Sequence, residues 1–173
     1  MRTLVTGGAG FIGSNLVDVL LARGDEVHVL DNLASGVREN VSPAATFHEG
    51  DIRHDAERVF AEVKPGVCFH LAAQADVGTS VAKPLYDAAV NVIGTLQILQ
   101  AATAHGTEMV FSSTGGAIYG ECDGPATEEA PRRPISPYGM AKLAAEEYLQ
   151  GFNRLHGSTH TVLRFANVYG PRQ

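Results

Sequence analysis

The 173-residue sequence has only two cysteines, no block of basic residues and no long apolar run. Cys68 and Cys122 form no spaced motif, so a secreted disulfide framework is not indicated. No window of about 18 apolar residues is present to cross a membrane, and the glycine-rich start does not read as a signal peptide. The expected location is the cytoplasm. A net charge of −6 without a basic stretch excludes nucleic acid and an anionic membrane as expected partners. The seven histidines are scattered, with neither HxH nor HExxH spacing, so no metal site is expected. There is no internal repeat and no low-complexity tract. What remains, 45% hydrophobic and 18% charged, is ordinary for a globular protein with one sizeable core, and residues 1–173 read as one domain.

The chain is organised around its first stretch, Thr3-Leu4-Val5-Thr6-Gly7-Gly8-Ala9-Gly10-Phe11-Ile12-Gly13. A short β-rich run breaks into glycines, and an apolar helical pattern follows from Phe11 to about Arg23. Gly8-x-Gly10-x-x-Gly13, or its variant from Gly7, is the dinucleotide fingerprint in the strand–turn–helix setting that it requires. One glycine makes the turn, one lets backbone approach a pyrophosphate, and one lets helix pack on strand. The helix N-terminus presents unpaired N–H groups to the phosphates. A second strand, Glu26 to Leu30, ends in Asp31, about 20 residues beyond the glycines, where a carboxylate accepts from ribose hydroxyls and repels a 2′-phosphate. That favours NAD; Arg38 nearby keeps NADP open, and a turn-capping aspartate is the plainer alternative.

Further strands are expected at Thr46–Glu49, Val67–Ala73, Glu108–Ser112 and Thr159–Phe165. Helices are expected over residues 54 to 63, 84 to 105 and 137 to 156, with Ser136 as N-cap and Pro137 at the first helical position. Gln74 to Lys83 reads as a polar loop and residues 120 to 134 as a surface loop. His70, inside the fourth strand, is read as a satisfied core histidine in preference to a catalytic one. The 84–105 helix is apolar on more than one side and calls for a second partner surface. The alternation predicts a doubly wound parallel α/β sheet, a Rossmann fold with helices on both faces and strand order 3-2-1-4-5-6. Gly7–Gly13, Asp31, Ala72–Gln74 and Ser112–Thr114 then all fall at the carboxyl ends of strands.

Tyr138-Gly139-Met140-Ala141-Lys142 places Tyr and Lys on one helix face, four residues apart. A free tyrosine has a pKa of about 10. Lys142, the helix N-terminus and a nicotinamide ring are expected to lower it, giving a base for a sugar hydroxyl. Lys142 could instead pair with Glu146. Thr114, at the end of the fifth strand, can relay a proton to Tyr138, with Ser112 and Ser113 as competitors for that role.

With these residues in place the chain resembles the extended short-chain dehydrogenase/reductase superfamily, and within it the nucleotide-sugar epimerases of the UDP-glucose 4-epimerase type. The matching pieces are Thr6–Ser14, Asp31–Leu33, Gly50–Ile52, Phe69–Gln74, Asn91–Thr95, Phe111–Gly120, Ser136–Lys142 and Asn167–Gln173. The resemblance implies tightly held NAD that is reduced and reoxidised within one turnover, with a 4-keto sugar between. It implies a cofactor site built from Gly7, Gly10, Phe11, Ile12, Gly13, Asp31, Asn32, Gly36, Asp51, Ile52, Leu71, Ala72, Ala73, Gln74, Asn91 and Ser112, together with Tyr138 and Lys142. Tyr138, Lys142 and Thr114 would be catalytic, and Thr114, Tyr138 and Asn167 would meet a UDP-sugar substrate. It also implies homodimers through the 84–105 and 137–156 helices. Related dehydratases and decarboxylases carry an acid just after the active-site Thr, whereas this chain has Gly115-Gly116, which disfavours both reactions. The family continues past Gln173 into a smaller C-terminal lobe. This chain therefore reads as the cofactor-binding part, with weak substrate affinity and a tendency to associate. A reductase of the same superfamily that releases its cofactor, and a catalytically silent NAD-binding module, are the competing readings.

Overall fold

β1 (Arg2–Thr6) is short, and its Leu4 and Val5 are fully shielded from solvent. A strand buried on both faces belongs in the middle of a parallel sheet. In the computed structural model, which describes all 173 residues, β1 lies between β2 (Glu26–Asp31) and β4 (Val67–His70). β3 (Thr46–Glu49) pairs outside β2, and β5 (Glu108–Thr114) and β6 (Thr161–Phe165) continue the other side. The six strands are parallel in the order β3-β2-β1-β4-β5-β6, as the sequence predicts. The order reverses between β1 and β4, and a crevice opens at the carboxyl ends there.

Successive residues of a strand face opposite ways, and this divides the core in two. Leu4, Leu30 and Phe111 join Phe60, Ile98 and Leu149 beneath α2 (Ala56–Val63), α5 (Thr95–Ala104) and α7 (Pro137–His156). Val5 and Val29 meet Val17 and Leu20 of α1 (Phe11–Ala22) on the other face. The buried Cys68 thiol belongs to the larger cluster, and burial pushes its pKa up, so it is unreactive.

Several boundaries differ from the sequence reading. The segment read as a loop at Gln74–Lys83 contains α3 (Val77–Ala82), whose Asp76 N-cap accepts from the Thr79 N–H at 2.6 Å. Gly78 and two valines gave that turn little helical propensity. The 84–105 helix is real but not uniform: α4 (Pro84–Ala88) passes through a π-helical segment, Ala89–Gly94, into α5. β4 ends at His70, three residues early, because Leu71–Ala73 leave the ladder to line the crevice. β5 runs two residues further, to Thr114, whose hydroxyl accepts from the Ala117 N–H and caps the one-turn α6 (Gly115–Ile118). α7 starts on the Ser136 cap as expected and stops at Gly157, which takes a left-handed φ of 66°.

Candidate active site

The glycine turn is held open by geometry that tolerates no side chain. Gly7 has φ 72°, and a methyl there would lie 2.6 Å from the Ala72 nitrogen; one at Gly13 would lie 2.1 Å from the Gly7 carbonyl oxygen. Gly10, as N-cap of α1, adds no side-chain cap, so the first-turn amides face the crevice without an internal partner. These are the features a pyrophosphate needs. Gly13→Ala is expected to push β1 and α1 apart, at about 1–3 kcal/mol of overpacking strain. Urea denaturation would read that loss, and the variant should no longer retain a dinucleotide.

The crevice is a cleft of about 320 Å³. It gathers Gly7, Gly10, Phe11, Ile12 and Gly13 from the turn, Asp31 from the end of β2, Asn32 and Gly36 from beyond it, and Ile52. Leu71, Ala72, Ala73 and Gln74 enter from β4, with Ser112 from β5 and Tyr138 and Lys142 from α7. Asp31 is buried: its Oδ2 accepts from the Ala9 N–H at 2.9 Å and its Oδ1 from the Leu33 N–H at 2.8 Å. Each oxygen keeps further acceptor capacity for a ribose hydroxyl. The turn-capping role is thus filled with acceptor capacity left over. Arg38 lies over the Phe47 ring, its guanidinium 4.5 Å from the centroid.

Four of the expected site residues lie outside this lining. Asp51 sits behind Asn32, accepting from its side-chain amide at 3.0 Å, and the Arg53 guanidinium holds its carboxyl well below the usual range. Asn91 is buried in the π-helical segment: its Oδ1 accepts from the Gln74 N–H at 3.0 Å, and its Nδ2 donates to the Gln74 carbonyl and to Asp87 Oδ1. It holds the loop in place from behind. Thr114 and Asn167 lie further along the edge; Asn167 lines a second cleft of about 360 Å³ with Gly115, Gly116 and Arg164.

Tyr86 and Val90 line the first cleft and were not singled out for it. The signal was present as their apolar character on a second helix side. Part of the surface expected to call for a partner subunit is thus cleft wall. Asp87, one residue on, is also buried and accepts from the Gln74 and Asn91 amides at 2.9 Å.

Lys142 donates from Nζ to the Ser112 carbonyl at 2.9 Å, and Nζ lies 4.7 Å from the Phe111 ring centroid and 5.9 Å from that of Tyr138. It does not pair with Glu146, whose carboxylate takes Arg164, Arg132 and the Ser113 hydroxyl instead. That commitment leaves Ser113 unavailable as a proton relay, whereas Thr114 retains its own hydroxyl proton after accepting from Ala117. Burial lowers the Lys142 pKa to about 8, with Asp87 and Glu146 opposing that fall.

The expected fall in the tyrosine pKa is not what these residues supply. Burial raises the Tyr138 pKa above its ordinary value, and the Asp87 carboxylate raises it further. Spacing alone cannot reveal burial, the largest influence on this phenol.

The family model for the NAD dependent epimerase/dehydratase family matches residues 3–173. A putative UDP-glucose 4-epimerase of Methanocaldococcus jannaschii is 46% identical over 175 residues, covering 98% of this chain and 57% of the relative. The crystal structure of a UDP-glucose 4-epimerase from Thermotoga maritima with UDP-glucose superposes with a TM-score of 0.97 at 51% identity, over 100% of this chain and 58% of that one. A Thermus thermophilus UDP-glucose 4-epimerase in complex with NAD gives 0.97 at 52% identity, over 100% and 57%. The chain thus spans a little over half the length of the relatives it matches. No helix is long and apolar enough to cross a membrane.

Proposed function

The chain belongs to the NAD dependent epimerase/dehydratase family, and from that we propose that it is the cofactor-binding and proton-transferring part of a cytoplasmic nucleotide-sugar 4-epimerase. The substrate class is a UDP-sugar of the glucose/galactose type. The observation that carries the reading is the convergence of the glycine cradle, Asp31, Tyr138 and Lys142 on one cleft.

NAD, when bound, would supply the hydride acceptor and a positive charge. The chain's own residues do the rest. Tyr138 takes the proton of the sugar 4-hydroxyl and returns it after the keto sugar has turned over. Thr114 passes that proton along, and Lys142 counters the phenolate while reaching the nicotinamide ribose. Lys142 is anchored for this by the Ser112 carbonyl. Asn167 and the second cleft offer a place for the substrate phosphates beside Thr114. Gly115 and Gly116 put no acid next to the reacting carbon, which favours epimerisation over dehydration or decarboxylation.

The chain also pairs with a second copy, in this proposal, through α4–α5 and α7. Leu85 and Ile93 on one helical stretch and Met140 and Tyr148 on the other are large, apolar and exposed. Sedimentation of the purified chain reads that dimer.

Mass spectrometry of the chain, native and then denatured, tests the cofactor. Release of NAD or NADH is the expected outcome. Release of NADP would transfer the reading to the reductase, and an empty chain that also fails to take up added NAD would overturn it.

A further inference from the structure

His70 lies in β4, fully buried, with no place in the cleft lining. Its two ring nitrogens are nevertheless both engaged. Nδ1 lies 2.6 Å from the Thr6 hydroxyl and Nε2 lies 3.0 Å from the Thr95 hydroxyl. Each threonine has one proton to give, and this decides the direction of every bond. Thr95 donates to the Asn91 carbonyl at 2.7 Å, so it must accept from an Nε2–H. A neutral ring protonated on Nε2 has an acceptor at Nδ1, which takes the Thr6 proton. The Thr6 oxygen is then left to accept the Ala72 N–H at 3.2 Å. The other tautomer would send two donors to Thr6 and strand its proton. Burial, helped by the Lys142 charge, depresses the His70 pKa to about 3, so the ring stays neutral at any working pH.

From donor to acceptor, the chain runs from the Ala72 amide in the cleft loop through Thr6, His70 and Thr95 to the Asn91 carbonyl in the helix. Asn91, at one end, pins Gln74 through both its backbone groups. Thr6, at the other, pins Ala72 and immediately precedes Gly7. The loop Leu71–Gln74 is therefore fixed at two points by one connected set of buried side chains, and it is tied to the strand that delivers the glycine turn. Leu71 also donates its N–H to the Thr6 carbonyl at 3.1 Å.

We propose that His70, held as the neutral Nε2–H tautomer between Thr6 and Thr95, is a positioning residue that sets the register of the Leu71–Gln74 loop against the glycine turn and thereby governs dinucleotide affinity. The affinity part rests on the cofactor reading above. His70 touches no reacting atom; it acts through Ala72 and Gln74. Losing it leaves the two threonine hydroxyls without their ring partner, and the Thr6 hydroxyl that meets Ala72 is no longer held in orientation.

The test uses the full chain, first freed of any dinucleotide it retains, with NAD as the probe in calorimetric titration, beside amide exchange and histidine ¹⁵N spectra. His70→Leu is expected to weaken NAD binding about tenfold, the equivalent of about 1.4 kcal/mol. His70→Gln, whose amide can still donate to Thr95, should recover part of that loss. Thr6→Val keeps the shape and removes the Ala72 acceptor; it should weaken binding similarly and stands in if the leucine variant fails to fold. Any turnover with a UDP-sugar should show the change in the NAD requirement and leave the rate at saturating NAD within about twofold. In the parent chain, the His70 Nδ1 resonance should sit at the unprotonated position and hold there between about pH 5 and pH 9. The Ala72 and Gln74 amides should exchange faster in each variant.

A folded His70→Leu or Thr6→Val chain with parental NAD affinity overturns the proposal, and so does a protonated Nδ1. A parent chain that holds no dinucleotide and takes up no NAD overturns the functional reading instead; the ring resonances and the two amides then still decide whether His70 fixes the loop.

Discussion

Tyr138→Phe is expected to lower UDP-sugar epimerisation by about 10²–10⁴-fold, the range for losing a positioned acid–base group. The ring stays, so the cleft keeps its shape and NAD should still be retained. Burial and Asp87 both disfavour the phenolate, so any base at this position depends on positive charge brought beside it. Lys142 is the chain's own source, held within reach by the Ser112 carbonyl. Conversion of UDP-galactose to UDP-glucose, followed with NAD retention measured on the same sample, separates the two effects. A variant that keeps more than about a tenth of the rate would remove Tyr138 from the mechanism.

Glu146→Ala is expected to cost about 3–5 kcal/mol of folding stability, the scale for removing one partner of a buried ion pair. Glu146 is fully buried, yet it sustains a network. Arg164 grips it through Nε at 3.0 Å and Nη2 at 2.7 Å, Arg132 approaches to 3.6 Å, and Ser113 donates to it. The carboxylate in turn holds the Arg164 pKa above its ordinary value. Without it, Arg164 would remain a mostly buried charge with only Tyr119 and the Glu128 carbonyl for company. Those two residues border the second cleft, so its wall should loosen as well. Glu146→Gln, which still accepts from Ser113, should lose less. Chemical denaturation of the three proteins reads the order, and a loss below about 1 kcal/mol for the alanine variant would show that the pair contributes little.

Much of this architecture was legible because its signals are local. The Thr3–Gly13 stretch specifies strand, turn and helix by residue type alone, and Ser136-Pro137 announces the start of α7. The alternation of apolar runs then leaves few sheet orders, and the observed one is the expected one. The site was less legible wherever its meaning depends on contacts across the chain. For Asn91 and Asp51, their bonds to Gln74 and Asn32 could be seen only in the fold. Asp87 gave no signal because its partners lie on another loop and in the next helical turn. The burial of Tyr138 was hidden for the same reason: i,i+4 spacing shows the ammonium and not the desolvation. His70 was read as a satisfied core residue, and it is satisfied; which groups satisfy it could be seen only in three dimensions.

The double engagement of Asp31 bears on how such a protein could change its cofactor. A carboxylate that only met the ribose could be exchanged for a small neutral residue, opening space for a 2′-phosphate at no cost to the fold. Here the same two oxygens terminate the Ala9 and Leu33 amides. Removing them leaves the buried Ala9 donor unpaired, at about 1–3 kcal/mol, and frees the half-buried Leu33 amide. Drift toward NADP is thereby blocked by the backbone before selection on cofactor choice can act, and an evolutionary path to it must first rebuild the turn around Ala9 and Leu33.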